Sequence, residues 1–221
     1  MKANWLIKAF KELPTGTISD AMDFLKIPSG VIVNGPKLLN VKSKRMAGIA
    51  CTIQQMPKRQ INPGKTQQLD VYNSIAKEGE VVVIDASGRM DAATTGGLQV
   101  TRALIRGLGG IVLNGCCRDA EDIVNMNVPF FCKGTVPRKS VPLETVGVNV
   151  PITVCNVQIR PGDIVVGDMT GIVIVPMEKA EEIFNRAKFI KTVEDEMEKR
   201  LLKGEDYSGL RQCVEKEIST K

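Results

Sequence analysis

Two short runs carry the residue types that anion and metal chemistry requires: Thr94-Thr95-Gly96-Gly97-Leu98 and Arg118-Asp119. Glycines at a helix start let the backbone approach a ligand closely. The free N–H groups of a first helical turn, helped by the helix dipole, hold an anion such as a carboxylate. Arg118 supplies a planar fork suited to a carboxylate or an enolate oxygen. Asp119 can hold a hard divalent ion such as Mg²⁺, which takes few protein carboxylates and keeps its waters. Each run also has a plainer account. Gly96-Gly97 can be a tight turn with a Thr cap, Asp119 can serve a helix dipole, and Arg118 and Asp119 can form a simple ion pair. What joins the runs is position, because each follows a strand-like segment and precedes a helix-like one. In an open α/β sheet, ligands sit beyond the carboxyl ends of neighbouring strands.

The 221 residues include no histidine. This excludes a Ser-His-Asp triad, a Cys-His pair and the usual His-based zinc sites. Acid–base work then falls to carboxylates, Lys, Tyr, Cys or metal-bound water. Lys133, Arg138 and Lys139 can bind a distal carboxylate of a substrate, although solvated loop charge is the simpler account of each one singly. There are six cysteines, with no CxxC pair. Several lie in apolar runs, as buried thiols in a reducing compartment do. Cys116-Cys117 reads as two small residues in a tight turn, with a redox switch as the alternative.

The elements that position these residues are read from periodicity. Leu6, Ile7, Phe10 and Leu13 predict a helix that ends at Pro14. Thr15 to Thr17 reads as a break, and Ser19 caps a second helix reaching Leu25. Short strands are expected at Val31 to Val33 and Ala47 to Gln54, then a loop at 56–66 long enough for a functional role, then an amphipathic helix at Leu69 to Ala76. The run Glu80 to Asp85 has the unbroken apolar character of a strand buried on both faces. Ser87 to Thr95 reads as a loop, Leu98 to Leu108 as a helix, Ile111 to Leu113 as a strand, Gly115 to Arg118 as a turn, and Asp119 to Asn125 as a helix. A strand starts at Phe130. The segment from Pro137 to Asn149 is loop-rich, and strands follow from Pro151 to Pro176. Residues 178–203 form a charged helix with Ile183, Ala187 and Ile190 as its apolar stripe, and the tail from Gly204 is polar and either packs elsewhere or is loose.

The composition fits this outline. Apolar residues make up 43% and aromatic residues only 4%, so the core rests on Val, Ile, Leu and Ala and favours sheet. The net charge of +5 is mild and carries no Lys/Arg block, which argues against nucleic-acid binding. No apolar run approaches the roughly 20 residues of a membrane span, and no signal peptide is evident, so a cytoplasmic location is expected. One mixed α/β domain over residues 1–221, with sheet layers and helices on one side, is the expected architecture.

The run GGLQVTRALIRGLGGIVLNGCCRDAEDI resembles the signature of the RraA-like family. That family includes 4-hydroxy-4-methyl-2-oxoglutarate aldolases, oxaloacetate decarboxylases and the regulator of ribonuclease E activity. TISDAMD, AGIACTI, VPFFCKGTVPRKS and VQIRPGDIVVGDMTGIVIVP resemble its other segments, so the similarity runs from about Thr17 to Gly204. The resemblance implies a swivelling β/β/α layered domain, a homotrimer or dimer of trimers, and a site at a subunit boundary. It implies Mg²⁺ or Mn²⁺ on Asp119, the enolate of a pyruvyl group on Arg118, and a substrate carboxylate on the amides of Gly96, Gly97 and Leu98. The helix at 178–203 then packs on a neighbouring subunit, and Glu196 of the partner subunit, with Glu194 as second choice, approaches the metal waters. The implied reaction is metal-dependent C–C cleavage of a 2-oxoacid through a pyruvate enolate. The alternatives are a non-catalytic regulator of a ribonuclease and a related hydroxy-acid dehydratase. The chain departs from the family pattern in two places. Gly97 stands where the aldolases have an acid, with Asp91 and Asp122 as candidates to replace it, and Asn114 stands where the family often has Asp.

Overall fold

Strands whose successive side chains are all apolar must be covered on both faces, and four such strands organise this chain. The structure, a computed structural model, describes residues 2–40, 45–58, 68–139 and 143–220. Helices α1 (Lys2–Glu12) and α2 (Thr15–Phe24) lead into the short strand β1 (Lys37–Leu38) and the long β2 (Arg45–Pro57). A short helix α3 (Gln68–Asp70) continues as a π-helical turn, Val71–Ile75. Then come β3 (Val81–Thr95), α4 (Gly97–Ile105), β4 (Gly110–Cys117), α5 (Ala120–Asn125), β5 (Phe130–Thr135) and β6 (Leu143–Val148). The hairpin β7 (Ile152–Val154) and β8 (Val157–Ile159), strands β9 (Ile164–Asp168) and β10 (Ile172–Val175), and helices α6 (Ala180–Leu202) and α7 (Leu210–Ser219) complete the order.

Eight strands form one sheet in the order β1-β5-β4-β3-β2-β9-β10, with β6 also on β2. The long β2 joins its two halves. Arg45 to Ile49 pair antiparallel with β9, while Ala50 to Gln54 pair parallel with β3. On β3 the alternation is direct. Val82 and Ile84 join Ile111 and Leu113 beneath Tyr72, Val100, Ala103 and Ile123 of the helical layer. Val81 and Val83 join Val112 and Phe131 beneath Ile152, Val154 and Ile159 of the hairpin. At the other end of the sheet, Ile164, Val166, Val173 and Val175 pack on Phe10, Ile18, Met22, Ile183, Ala187 and Ile190. Each fully buried aliphatic side chain of this kind contributes roughly 1.5–3 kcal/mol relative to exposure.

The α/β class read from the sequence matches this architecture, but several local expectations do not. The loop expected at Ser87 to Thr95 is strand, because β3 continues beside β4 through register shifts after Asp85, Arg89 and Ala93. The turn expected at Gly115 to Arg118 is likewise the end of β4 through Cys117. Helix α2 starts at Thr15 rather than Ser19, because the Asp168 carboxylate takes the Thr15 N–H at 2.9 Å and its hydroxyl at 2.8 Å. An anion from a distant strand thus serves this helix start. Val31 makes only an isolated bridge, to Val173. Residues 143–148, expected as loop, form β6 on the edge of β2. Of the two readings of the tail, packing is the one found, since α7 lays Leu210 and Val214 on Val193 and Met197 of α6. Most of the loop expected at 56–66 lies outside the described residues. No helix among the described residues is long and apolar enough to cross a membrane.

Candidate active site

The parallel pairing of β3 with β4 carries both chains to the same sheet edge, where α4 and α5 begin. Thr95 is paired with Cys117 in the register, and the Arg118 N–H donates to the Thr95 carbonyl at 3.0 Å. The two runs singled out from the sequence therefore touch. Gly96 is extended, at φ −135° and ψ 177°, and its N–H donates to Gln99 Oε1 at 3.0 Å, which caps α4. The Gly97 N–H donates to Asp119 Oδ2 at 3.0 Å. The carboxylate of Asp119 thus occupies an anion position at the N-terminus of α4, where the dipole favours it.

Asp119 caps α5 in the left-handed region, at φ 57° and ψ 40°. For a residue other than glycine this conformation costs on the order of 1 kcal/mol, and Asp tolerates it better than most. The arrangement turns its carboxylate back towards α4, 3.6 Å from Arg118 Nε. The missing side chain of Gly96 makes the contact possible. A Cβ there would lie 2.8 Å from Asp119 Oδ2 and 3.2 Å from Arg118 Nε. Gly97 differs, because a Cβ would meet Asp119 Cβ at 3.4 Å, Asp122 Oδ2 at 3.6 Å and Asp119 Oδ2 at 3.7 Å, all ordinary van der Waals distances.

Arg118 and Asp119 open onto a cavity of about 560 Å³ that is also lined by Gly96, Leu98, Thr94 and Gln55. Both side chains are partly exposed, at 44% and 41%, so they stand where a ligand can reach them. Leu98 is almost fully exposed on the rim. Of the three cations expected to receive a distal carboxylate, only Lys139 lines this cavity. An isolated bridge to Ala93 positions its backbone. Arg138 turns to Asp91 at 3.6 Å, and Lys133 Nζ lies near Gly88. Asp91 is held by the Arg89 fork at 2.8 and 2.6 Å, which keeps its carboxyl below the ordinary range. Asp91 is therefore committed elsewhere, and Asp122 is the acid beside Gly97.

Within the chain, Glu194 and Glu196 belong to α6, which packs on α2 and α7. Glu194 accepts from Thr17 Oγ1 at 3.2 Å, and Glu196 from Arg200 Nε at 3.2 Å. Asn114 donates to Asp85 Oδ1 at 2.8 Å, and Gln54 donates to Asp85 Oδ2 at 2.9 Å. An amide at 114 thus satisfies a buried carboxylate that a second acid would oppose. Cys116 and Cys117 are in a strand, so they point to opposite faces, Cys116 towards Met90 and Cys117 towards Cys132, with sulfur–sulfur distances of 3.6 and 3.8 Å. All six cysteines are free.

Among the described residues, no three potential metal-ligating side chains cluster. A closed protein cage for a soft metal does not fit this donor set. A hard cation that keeps most of its waters and takes one carboxylate does fit, at the partly exposed Asp119. The sequence reading named Thr94 only as part of the run that leads into the two glycines, and it did not single out Gln55 or Gln68. The available signal for these two was polarity next to an apolar strand and next to an amphipathic helix.

Known proteins similar to this chain point to one family. A protein of Halalkalibacterium halodurans, provisionally named a 4-hydroxy-4-methyl-2-oxoglutarate aldolase, is 32% identical over 96% of this chain and 95% of its own length. An uncharacterised protein of Methanocaldococcus jannaschii is 39% identical over 60% of this chain, a match that spans 64% of that protein. The crystal structure of a Streptomyces coelicolor protein, described as an unusual member of the RNase ES inhibitor RraA family, superimposes with a TM-score of 0.82 at 29% identity. That match covers 89% of this chain and 98% of the other. Residues 15–174, which hold the strand edge, both glycines and the Arg-Asp pair, match the RraA-like family described as Aldolase/RraA, and the chain belongs to that family.

Proposed function

We propose that the protein is a divalent-metal-dependent lyase that cleaves a C–C bond of a 2-oxoacid and releases pyruvate through its enolate. The observation that carries this reading is the convergence of Arg118, Asp119 and the N-terminus of α4 on one cavity. Asp119 would hold Mg²⁺ or Mn²⁺, and the Gly97 N–H fixes the carboxylate that does so. The bound ion supplies Lewis-acid stabilisation of negative charge on the oxoacid oxygens. Arg118 binds the same oxygens through its guanidinium and is pre-oriented by its backbone bond to Thr95. The Leu98 amide and side chain border the position of the substrate carboxylate. Proton movement falls to water steered by a carboxylate. Asp122 stands beside the site within the chain, and Glu196 of the partner subunit would complete it in a trimer or dimer of trimers. A cytoplasmic location accords with four buried, unpaired cysteines.

The test is pyruvate release from oxaloacetate and from 4-hydroxy-4-methyl-2-oxoglutarate with Mg²⁺, with Mn²⁺ and with chelator. Turnover that needs metal and disappears in Asp119→Ala and Arg118→Ala, both still folded, is the expected result. Undiminished turnover in either variant would remove the site. The regulator reading draws on the likeness to the RNase ES inhibitor relative. Metal-independent inhibition of a ribonuclease, with no turnover of a 2-oxoacid, would favour it.

A further inference from the structure

The turn that carries Gly96 and Gly97 lies at the end of a strand whose pairing has become irregular. Strand β3 pairs with β2 as far as Gln54 and Asp85. Beyond Asp85 its register against β4 shifts three times, the last between Ala93 and Thr95. Thr95 is nevertheless tied from the side. Gln55 Nε2 of β2 donates to Gln68 Oε1 at 2.7 Å, and Gln68 Nε2 of α3 donates to Thr95 Oγ1 at 3.0 Å. The three residues are 4%, 8% and 1% exposed. Hydrogen bonds gain strength in such a low dielectric, and a buried polar atom that loses its partner is costly. Tyr72, also buried, backs Gln68 and Thr95 from the π-helical turn that follows α3, and such turns recur at functional sites. Burial pushes its hydroxyl up to about 12, so it stays neutral. Beyond Thr95 the same backbone runs into the site. The Thr95 carbonyl accepts from the Arg118 N–H at 3.0 Å. Two residues on, the Gly97 N–H donates to Asp119 Oδ2 at 3.0 Å.

We propose that Gln68 is a positioning residue, which through Thr95 holds the backbone from Thr95 to Gly97 in the one place where its carbonyl orients Arg118 and its amide orients Asp119. The consequence for turnover rests on the lyase reading. The side-chain oxygen of Gln68 is committed to Gln55 and its nitrogen to Thr95, so it acts through the backbone rather than on the substrate. Glutamine suits the task because one side chain both accepts and donates, and here it bridges β2 to β3 where the two strands no longer pair. The far end of the bridge is firm, because Gln55 is itself paired with Thr145 of β6. Without the bridge the Thr95 carbonyl and the Gly97 amide move together, and Arg118 and Asp119 lose their shared alignment. A small shift is enough to matter, since a misplacement of about 1 Å lowers a rate about 100-fold.

The experiment follows exchange of the pyruvate methyl protons in D₂O with Mn²⁺ by NMR, which reports enolate formation without a second substrate. Amide hydrogen exchange is measured in the same proteins at Gly97, at Arg118 and, as a reference in β9, at Val166. Wild type is expected to exchange the methyl protons. Thr95→Val and Gln68→Met should each lower kcat for this exchange about tenfold and leave KM for pyruvate within about twofold. The double variant should be no slower than the slower single one, because both substitutions break one relay. Thr95→Ser keeps the hydroxyl and should stay within about threefold of wild type. The Gly97 and Arg118 amides should exchange about tenfold faster in Thr95→Val and Gln68→Met, with Val166 unchanged. Wild-type kcat together with unchanged protection of Gly97 and Arg118 in Thr95→Val overturns the relay. So does an equal loss of protection at Val166, which marks a general loosening. A wild type that forms no enolate removes the lyase reading, and the two amides then decide the relay by themselves.

Discussion

Asp122 Oδ2 lies 3.6 Å from the position that a Cβ on Gly97 would take. The first turn of α5 thus brings a carboxylate beside the first turn of α4, where the resemblance led an acid to be expected. Asp119 Oδ2 lies 3.7 Å from the same point. Asp122→Asn is expected to weaken Mn²⁺ binding about tenfold, in line with loss of a supporting carboxylate. Gly97 has an ordinary backbone and only van der Waals neighbours, so Gly97→Asp added to Asp122→Asn should recover most of that affinity. Mn²⁺ titration followed by electron paramagnetic resonance decides this, and an unchanged affinity in Asp122→Asn would assign Asp122 to the surface alone.

Gly96 is tighter. Gly96→Ala places a methyl group 2.8 Å from Asp119 Oδ2 and 3.2 Å from Arg118 Nε. Both functional side chains must move, and a displacement near 1 Å lowers turnover by about 100-fold. The stability cost should stay near 1–3 kcal/mol, the range for a crowded methyl. Steady-state kinetics beside urea unfolding would separate the two effects, and wild-type turnover in a folded Gly96→Ala would show that the pair tolerates displacement.

Asp168 ties α2 to the sheet. Burial raises its pKa, but hydrogen bonds from the Thr15 N–H and hydroxyl and the N–H groups of Thr170 and Gly171 outweigh burial and hold it below the ordinary carboxylate value. A folded-state pKa below the unfolded one gives stability that is present above the unfolded value and is lost as pH falls through the folded value. Asp168→Ala is expected to lower stability by about 1–2 kcal/mol near neutrality, the scale of a lost helix cap. The difference from wild type should shrink below about pH 3.8. Thermal unfolding of both proteins from pH 7 to pH 2.5 checks this, and a constant gap across that range would count against the carboxylate.

Asn114→Asp tests the opposite case. The new acid would face Asp85, buried and 8% exposed, at the position where an amide now donates at 2.8 Å. A like charge in place of a donor should destabilise by about 2–4 kcal/mol at neutral pH. Urea unfolding measures it, and a neutral effect would mean that the Gln54 and Ser87 bonds to Asp85 are sufficient.

Residue types and periodicity already determined a good part of this protein. The double-sided apolar run at Val81 to Ile84 identified a buried strand, because a strand covered on both faces has no room for polar alternation. The spacing of the two glycines and the Arg-Asp pair after strand-like segments marked the sheet edge where the structure brings both runs together. What lay outside the reach of sequence was set by contacts distant along the chain. Helix α2 starts at Thr15 because Asp168 caps it from β9. Residues 143–148 are strand because the edge of β2 offers unpaired backbone groups, and the polar tail is helix because Val193 and Met197 need covering. Strand β3 outlasts its apolar run because β4 supplies hydrogen bonds through each register shift. The cavity is tertiary in the same sense, since Gln55 of β2 and Thr94 of β3 come to line it beside Arg118 and Asp119 only once the strands have paired.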